Sequence, residues 1–241
     1  LAAAEVRQAL ALQGGGDAAA DVTALALPRL LLAGVESRYQ ATVARIERAD
    51  GRWRLLDTEG GLLAEAARLV VTAPAPQSAA LLAEVQPAWS QRLQALRWRP
   101  NWSLLLALPA DVETPDWRAA GDWLARVQEQ LDPPDAAGPA NARRWVLQLS
   151  DAASEALLEA RPEAVLEALH ERLGTRPDWC HAAAHRWRFA RVVAPLPEPL
   201  LLDDALQLAV CGDAFAAGQA DSDLGRCLAS ASALISAWAA R

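Results

Sequence analysis

The residues best suited to chemistry lie near the end of the chain, where an apolar run stops at Cys211-Gly212-Asp213. The run 206–210 has the length of a strand, and a helix-compatible segment rich in small residues follows it. A helix N-terminus offers unpaired N–H groups and a partial positive charge, which suit an anion or an electron-rich ring edge. Gly212 would let the backbone come close to a ligand, and Asp213 could accept hydrogen bonds from hydroxyls. A plain turn between a strand and a helix is the alternative.

A second candidate group contains His181, His185, Arg186 and Trp187. Two histidines four residues apart would share one face of a helix and could both bind a metal ion. The pattern that continues beyond His185 favours a strand, and no carboxylate or cysteine spacing completes a metal site, so no metal is predicted. Arg186 or Arg188 would offer charge and Trp187 a stacking plane to a substrate. A purely structural amphipathic strand with a buried tryptophan is the alternative.

The composition excludes several functional classes. All 23 Lys+Arg residues are arginine, so this chain contributes no Walker A lysine, Schiff-base lysine or lysine general base. The net charge of −7 argues against nucleic acid or an anionic membrane as the main partner. No Ser-His-Asp order and no HExxH motif occurs, which leaves hydrolase chemistry without support. The oligomeric state stays open.

The sequence also predicts a cytoplasmic location. No uncharged apolar run reaches the ~18 residues of a membrane span, and no basic, apolar signal segment opens the chain. The 3 cysteines are odd in number and lack CxxC spacing, as expected for reduced thiols. Because position 1 is not methionine, we expect the chain to be the remainder of a longer protein.

Around these groups the sequence predicts alternating strands and helices. The Asp50-Gly51 pair predicts a hairpin, and the almost wholly apolar segment 67–73 predicts a strand buried on both faces. Residues 110–142 are expected to form loops with one short element, and 195–202 a proline-rich connection. Strands are predicted at 37–48, 53–57, 67–73, 102–108, 144–149, 181–189 and 206–211. Helices are predicted at 2–13, 22–32, 77–85, 88–96, 152–174 with a break at Arg161-Pro162, and at the C-terminal end.

Three motifs in this order resemble the renalase-like branch of the flavin-containing amine oxidase superfamily. They are Val71-Thr72-Ala73-Pro74-Ala75-Pro76-Gln77, His185-Arg186-Trp187-Arg188-Phe189-Ala190 and Cys211-Gly212-Asp213. The likeness extends from about Val22 to the C-terminus. It implies an α/β chain with α+β character, made of part of a Rossmann-like FAD-binding domain (1–85 and 203–241) and a substrate-binding domain with an antiparallel sheet and helices (86–202).

The resemblance implies that the cofactor is FAD and indicates which residues meet it. The position of Val43 would lie near the adenine end, the strand end 72–74 near the phosphates, and the final helix would point its N-terminus at the pyrimidine edge of the flavin. The residues implied to bind FAD are Val43, Thr72, Ala73, Pro74, Gly212, Asp213, Gly218 and Gln219. The residues implied to be catalytic are His185, Arg186 and Trp187.

The implied activity is oxidation of a dihydronicotinamide, or of an amine, by hydride transfer to flavin with O2 as the reoxidant. One tyrosine and no lysine cannot supply the paired-tyrosine cage and lysine–water arrangement of monoamine oxidases, which favours the renalase-like branch. The chain departs from the family in two respects. It lacks G-x-G-x-x-G, and Asp221-Ser222-Asp223 replaces a Glu-Gly-Ala-like turn. A truncated, non-catalytic remnant acting as a binding or structural module is therefore the alternative.

Overall fold

The computed structural model describes residues 32–130, 142–220 and 222–239. The chain divides into two compact units, Leu1–Ala41 with Leu131–Ala140, and Thr42–Gln130 with Asn141–Arg241. In the first unit, the described residues 32–41 form turns and irregular backbone. The helix predicted at 2–13 lies outside the described residues, as does the one at 22–32 except for Leu32, which is in a turn.

All the elements described below belong to the second unit. The strands are β1 (Arg45–Ala49), β2 (Arg52–Leu56), β3 (Leu62–Ala66), β4 (Leu69–Val71), β5 (Trp98–Leu108), β6 (Leu124–Gln130), β7 (Arg143–Leu149), β8 (His181–Val192), β9 (Leu201–Asp203) and β10 (Leu208–Val210). The helices are α1 (Ala75–Leu82), α2 (Pro87–Gln94), α3 (Asp151–Ala156), α4 (Pro162–Leu173) and α5 (Asp223–Ala239), with a 3₁₀ helix at Trp117–Trp123.

An antiparallel sheet with the order β1-β2-β3 opens the unit. Asp50 and Gly51 both have positive φ, 50° and 76°, which matches the right-handed twist of the flanking strands and confirms the predicted hairpin. Trp53 is fully buried, and its Nε1 donates a hydrogen bond to the carbonyl of Leu206 at 2.9 Å. This bond ties the small sheet to the turn that precedes β10.

A mixed sheet with the order β4-β10-β9 carries the first and third motifs. Strand β10 pairs in parallel with β4 and antiparallel with β9, so Val71 and Val210 end at the same edge. Helix α1 follows β4 directly and buries Ala79 and Leu82 against this sheet. The chain segments that leave the carboxyl ends of β4 and β10 therefore start side by side.

An antiparallel sheet with the order β6-β7-β5-β8 carries the second motif. On one face, Trp102, Leu104, Trp145 and Leu147 are buried with residues of α3 and α4. We call the opposite face, which bears Asn101, Ser103 and Leu105, the outer face. Strand alternation assigns the residues paired with these positions to the same face.

The mixed α/β fold with antiparallel sheets confirms the predicted fold class. Several boundaries differ from the predictions. Strand β1 begins at Arg45, after Gln40 with a φ of 56°, and not at 37. Strand β5 begins at Trp98, and a register shift between Arg99 and Asn101 accommodates Pro100. In the residues that the structure describes, no helix has the length and apolar character needed to cross a bilayer.

Strands β3, β6 and β9 were not predicted. Strand β3 is composed only of Leu, Ala and Glu, which favour helices, and β6 is almost wholly exposed with a mostly polar sequence. Strand β9 is only three residues long. All three are held by pairing with neighbours distant in sequence, so their own residues carry a weak signal.

Candidate functional site

The register of β8 against β5 separates the residues of the second motif between two faces. His185 pairs with Ser103 and Trp187 with Asn101, which places both rings on the outer face. Arg186 pairs with Trp102, whose indole is buried among the helices, so Arg186 lies on the opposite face. Arg186 thus lies on the helix-covered face, whereas His185 and Trp187 lie on the outer face, where Arg191 of the same strand lines a cleft with Trp187.

Trp187 and His185 form a T-shaped pair. Their ring centroids are 4.4 Å apart, and the ring planes meet at 67°. Trp187 is 52% exposed, which is unusual for an indole and leaves one ring surface open for a ligand. The two rings of the predicted catalytic set are therefore together and accessible.

Arg186, the third predicted catalytic residue, is bound by the protein. Its Nη1 donates a hydrogen bond to the carbonyl of Leu158, and its guanidinium lies 5.7 Å from the ring centroid of Trp102. Arg188 makes a two-pronged ion pair with Glu159 at 2.8 and 2.7 Å. This contact lowers the pKa of the Glu159 carboxyl and raises the pKa of Arg188. Both arginines line the wall of a cleft and share the Glu159 carboxylate, which lies 3.6 Å from Arg186.

A cleft of about 420 Å³ joins the first motif to the second. Pro74, which follows β4, lies on one side, and Arg186 and Trp187 of β8 on the other. A predicted cofactor-binding residue and two predicted catalytic residues thus share one cleft. Gln77, which the sequence analysis did not select, lines it too.

A larger, mainly apolar cleft of about 570 Å³ lies beside β4. Val43, Thr72 and Ala73, three of the predicted cofactor-binding residues, line it together with Leu81. Gln77 also lines this cleft, so the two clefts share a wall. Apolar walls with few polar groups suit a flat heteroaromatic ring.

A third cleft, of about 350 Å³, connects Trp187 to the start of α5. Asn101, Ser103 and Gln148 of the outer face line it, as does Asp223, the first residue of α5. The strand alternation that exposes Trp187 also brings these three neutral side chains to the cleft, and the sequence analysis missed them. Only the cross-strand register shows that they meet.

The Gly-Asp pair after β10 has two properties that a ligand could use. Gly212 has a φ of 147°, and a side chain there would meet no atom within 4 Å, so the backbone borders open space. Its N–H, however, already donates to Ser230 Oγ at 3.1 Å. Burial raises the pKa of the Asp213 carboxyl, and the charge of Asp223 raises it further. A carboxylate in such a place gains from a hydrogen-bond donor.

Arg226 offsets the acidic residues at the start of α5. Its Nη2 pairs with Asp223, and its Nε donates to the carbonyl of Asp213 at 3.1 Å. The side chain is only 11% exposed. The i, i+3 spacing of Asp223 and Arg226 was a signal in the sequence that the predictions did not use.

The remaining predicted cofactor residues, Gly218 and Gln219, lie in the turn between β10 and α5. Gly218 has a φ of 76°, and the Gln219 N–H donates to the carbonyl of Ala216 at 3.1 Å. Neither they nor Gly212 and Asp213 line any of the three clefts. The predicted residues therefore divide into those that line a cleft and those that lie between β10 and α5, and His185 lines none of the three clefts.

Comparison with known proteins finds sequence similarity over part of the chain. No protein-family model matches the chain. An alignment over 144 positions, which covers 56% of the chain, is 35% identical to the tRNA 5-methylaminomethyl-2-thiouridine biosynthesis bifunctional protein MnmC of Delftia acidovorans. The chain spans only 21% of the length of that protein.

Solved structures show the fold. A protein assigned as a protoporphyrinogen oxidase from Exiguobacterium sp. matches 88% of this chain and 50% of its own with a TM-score of 0.58 at 18% identity. An oxidoreductase from Methanosarcina mazei matches 88% and 52%, with a TM-score of 0.55 at 16% identity. Cyclohexylamine oxidase from Brevibacterium oxydans matches 84% and 49%, with a TM-score of 0.50 at 13% identity. The chain has the fold of these oxidases and spans about half their length.

Proposed function

We propose that this chain is part of a cytoplasmic, renalase-like FAD-dependent oxidoreductase that oxidises a dihydronicotinamide or an amine, with O2 as the reoxidant. The observation that carries the proposal is the shared cleft of Pro74 and Trp187, which has Gln77 as a common wall with the apolar cleft of Val43 and Thr72. One cleft offers a ring-stacking surface, and the other offers an apolar slot. A long ligand with a ring at each end suits this arrangement.

The residues fit FAD at several points. In the proposal, the adenine end enters the apolar cleft near Val43, and the strand end of Thr72, Ala73 and Pro74 lies toward the phosphates. Gly212 lets the cofactor approach the backbone, and the Asp213 carboxylate accepts a hydrogen bond from a ribityl hydroxyl. That bond would offset the cost of burying the carboxylate, whose pKa is raised in its absence. Gly218 and Gln219 continue this contact along the turn.

We assign the two parts of the chain the same roles that the sequence predicted. Residues 1–85 and 203–241 contribute to cofactor binding, and residues 86–202 form the substrate side. The mixed sheet of β4, β9 and β10 would bear on the cofactor, and the sheet of β5 to β8 on the substrate. Trp187, at 52% exposure, has an open ring surface with which it can orient a planar substrate.

Hydride transfer to a flavin requires the protein mainly to bind and orient the substrate. FAD, when bound, supplies the acceptor for the hydride that leaves the substrate carbon, and O2 then takes up the electrons. In the proposal, His185, whose ring contacts Trp187, takes a proton from a substrate amine before the C–H bond breaks. Arg186, fixed to Leu158 and Trp102, holds the edge of the cleft in shape.

A second substrate class is an alkylamine carried by a nucleoside. The sequence identity of 35% to a protein of thiouridine biosynthesis favours it. A nucleobase could stack on Trp187 as a nicotinamide would. The non-catalytic remnant remains the alternative from a different class, and it predicts that no substrate reduces a bound flavin.

The test is anaerobic reduction of the flavin. The purified chain is incubated with FAD, freed of unbound flavin by gel filtration, and mixed without oxygen with a dihydronicotinamide, an alkylamine or a methylaminomethyl nucleoside. The proposal predicts that one of these bleaches the visible band of the bound flavin and that air restores it. A flavin that remains oxidised with all three would contradict the proposal.

A further inference from the structure

We infer that Asn101, Ser103 and Gln148 form a neutral hydrogen-bonding wall that recognises an uncharged amide edge on the planar group stacked against Trp187. This inference rests on the proposed function, because it concerns the substrate side of the same site. The recognised group is an amide, as in a carboxamide or a pyrimidine base. A carboxylate in the same position should bind more weakly.

The strand register brings the three side chains to one place. Ser103 of β5 pairs with Gln148 of β7 on one side and with His185 of β8 on the other. Asn101, two residues before Ser103 on the same face, pairs with Trp187. Directly paired residues have Cβ atoms ~5 Å apart, so a single small ring on Trp187 can contact this row.

After the hydrogen bonds among Asn101, Ser103 and their neighbours are formed, this row of side chains still has groups that can donate and accept hydrogen bonds. Asn101 Nδ2 donates to the carbonyl of Leu149 at 3.1 Å, and Ser103 Oγ donates to Asn101 Oδ1 at 3.2 Å. Ser103 Oγ thus keeps lone pairs to accept a bond. The amide of Gln148 has no hydrogen-bond partner among the described residues, so it can both donate and accept. An amide edge, with one donor beside one acceptor, complements this pair.

The charged groups around the same cleft are bound to one another. Arg99 and Arg191 line it, and both bind Asp151, Arg191 at 2.9 and 2.6 Å. Asp223, which lines the cleft together with Asp151, binds Arg226, so three arginines share two carboxylates. Because each guanidinium is already bound to a carboxylate, a carboxylate on the substrate would lose its hydration and compete with Asp151 or Asp223 for the same guanidinium groups. A neutral polar group avoids this cost.

The test uses binding of small probes and needs no flavin. Ligand-observed NMR compares nicotinamide, its acid nicotinate, and uracil, which carries an amide edge on a pyrimidine. We expect nicotinamide or uracil to bind at least five-fold more tightly than nicotinate. Which of the two binds better assigns the amide to a nicotinamide or to a nucleobase. Equal binding of all three, or tighter binding of nicotinate, would overturn the inference.

Variants of Gln148 test whether this side chain is responsible for the preference for amides over nicotinate. Loss of one neutral hydrogen bond in Gln148→Leu should weaken amide binding about five-fold and leave nicotinate unchanged. Gln148→Glu should weaken nicotinate further, whereas Gln91→Glu, the same change at an exposed position of α2, should alter nothing. An unchanged preference in Gln148→Leu would overturn the inference. If the chain prefers amides but no substrate reduces the flavin, only the proposed function is contradicted. If a substrate reduces the flavin but the chain shows no preference for amides, only this inference is contradicted.

Discussion

Trp187 lies edge to face with His185 on the outer face of the four-stranded sheet, with the ring centroids 4.4 Å apart. The arginines on either side of Trp187 point to the other face, where Glu159 and Leu158 bind them. Arg186 and Trp187 nevertheless line one cleft at the edge of the sheet, so the exposed ring and the bound arginines lie on adjacent sides of the same strand.

Replacing Trp187 by alanine should impair ligand binding and leave the fold intact, because the side chain is 52% exposed. Replacing Trp102, which is 1% exposed, should instead destabilise the fold by ~3–5 kcal/mol, because a buried indole leaves a cavity. Urea unfolding followed by circular dichroism measures the stability, and NMR titration with nicotinamide and uracil measures binding. Equal losses of stability in the two variants would contradict the assigned roles.

Asp213 should destabilise the fold near neutral pH. Burial and Asp223 raise the pKa of its carboxyl in the folded state, so ionising it costs more there than in the unfolded chain. This penalty is fully present above the folded-state pKa and disappears as the pH falls through that pKa toward the ordinary ~3.9. Asp213→Asn should therefore raise Tm at pH 7, and its advantage should vanish near pH 4. A Tm gain that persists unchanged at pH 4 would contradict this explanation.

Bound FAD should change the effect of the same substitution. If Asp213 accepts a ribityl hydroxyl, the carboxylate is compensated in the complex, and Asp213→Asn should gain less Tm with saturating FAD than without it. Asp223→Asn is the matched control, since its carboxylate already binds Arg226. An equal gain with and without FAD would remove Asp213 from the cofactor site.

The cysteines should differ strongly in reactivity. Burial, with the nearby charges of Asp213 and Asp223, raises the pKa of the Cys227 thiol to about 11. At pH 8 about one molecule in a thousand then carries the reactive thiolate at this position. Burial also raises the pKa of Cys211, whereas Cys180 is exposed. Mass spectrometry after iodoacetamide treatment should find Cys180 labelled first, and early labelling of Cys227 would contradict the buried setting of α5.

Local patterns in the sequence were enough to predict the elements that carry the motifs. Asp50-Gly51 predicted a hairpin because both positions need positive φ, and the structure has φ of 50° and 76° there. The apolar runs at 69–71 and 208–210 predicted buried strands, and Pro162 marks the start of α4 as expected. These features depend on the residues themselves and their immediate neighbours.

Features set by long-range contacts could not be predicted in this way. Arg186 was expected to offer charge to a substrate, but the carbonyl that binds it belongs to Leu158, 28 residues away. Gln148 and Ser103 carry no motif, and only the pairing of β5 with β7 brings them together. Strand β6 is held by β7 despite its polar, exposed sequence. In each case the partner, and not the residue type, determines the role.

Binding of FAD to the chain decides whether the apolar cleft beside β4 is a cofactor site. Protein is titrated into FAD, and the fluorescence anisotropy of the flavin is followed, with ADP as a competitor for the adenine end. Thr72→Trp should fill the apolar cleft, because Thr72 is exposed at its wall. Ala88→Trp, at an exposed position of α2, adds the same indole elsewhere.

We expect a saturable rise in anisotropy that ADP reverses. Thr72→Trp should weaken the affinity for FAD at least ten-fold, and Ala88→Trp should leave it unchanged. Circular dichroism of both variants checks that the fold is retained. No saturable rise with the unaltered chain, or equal binding by both variants, would contradict the assignment of this cleft to FAD.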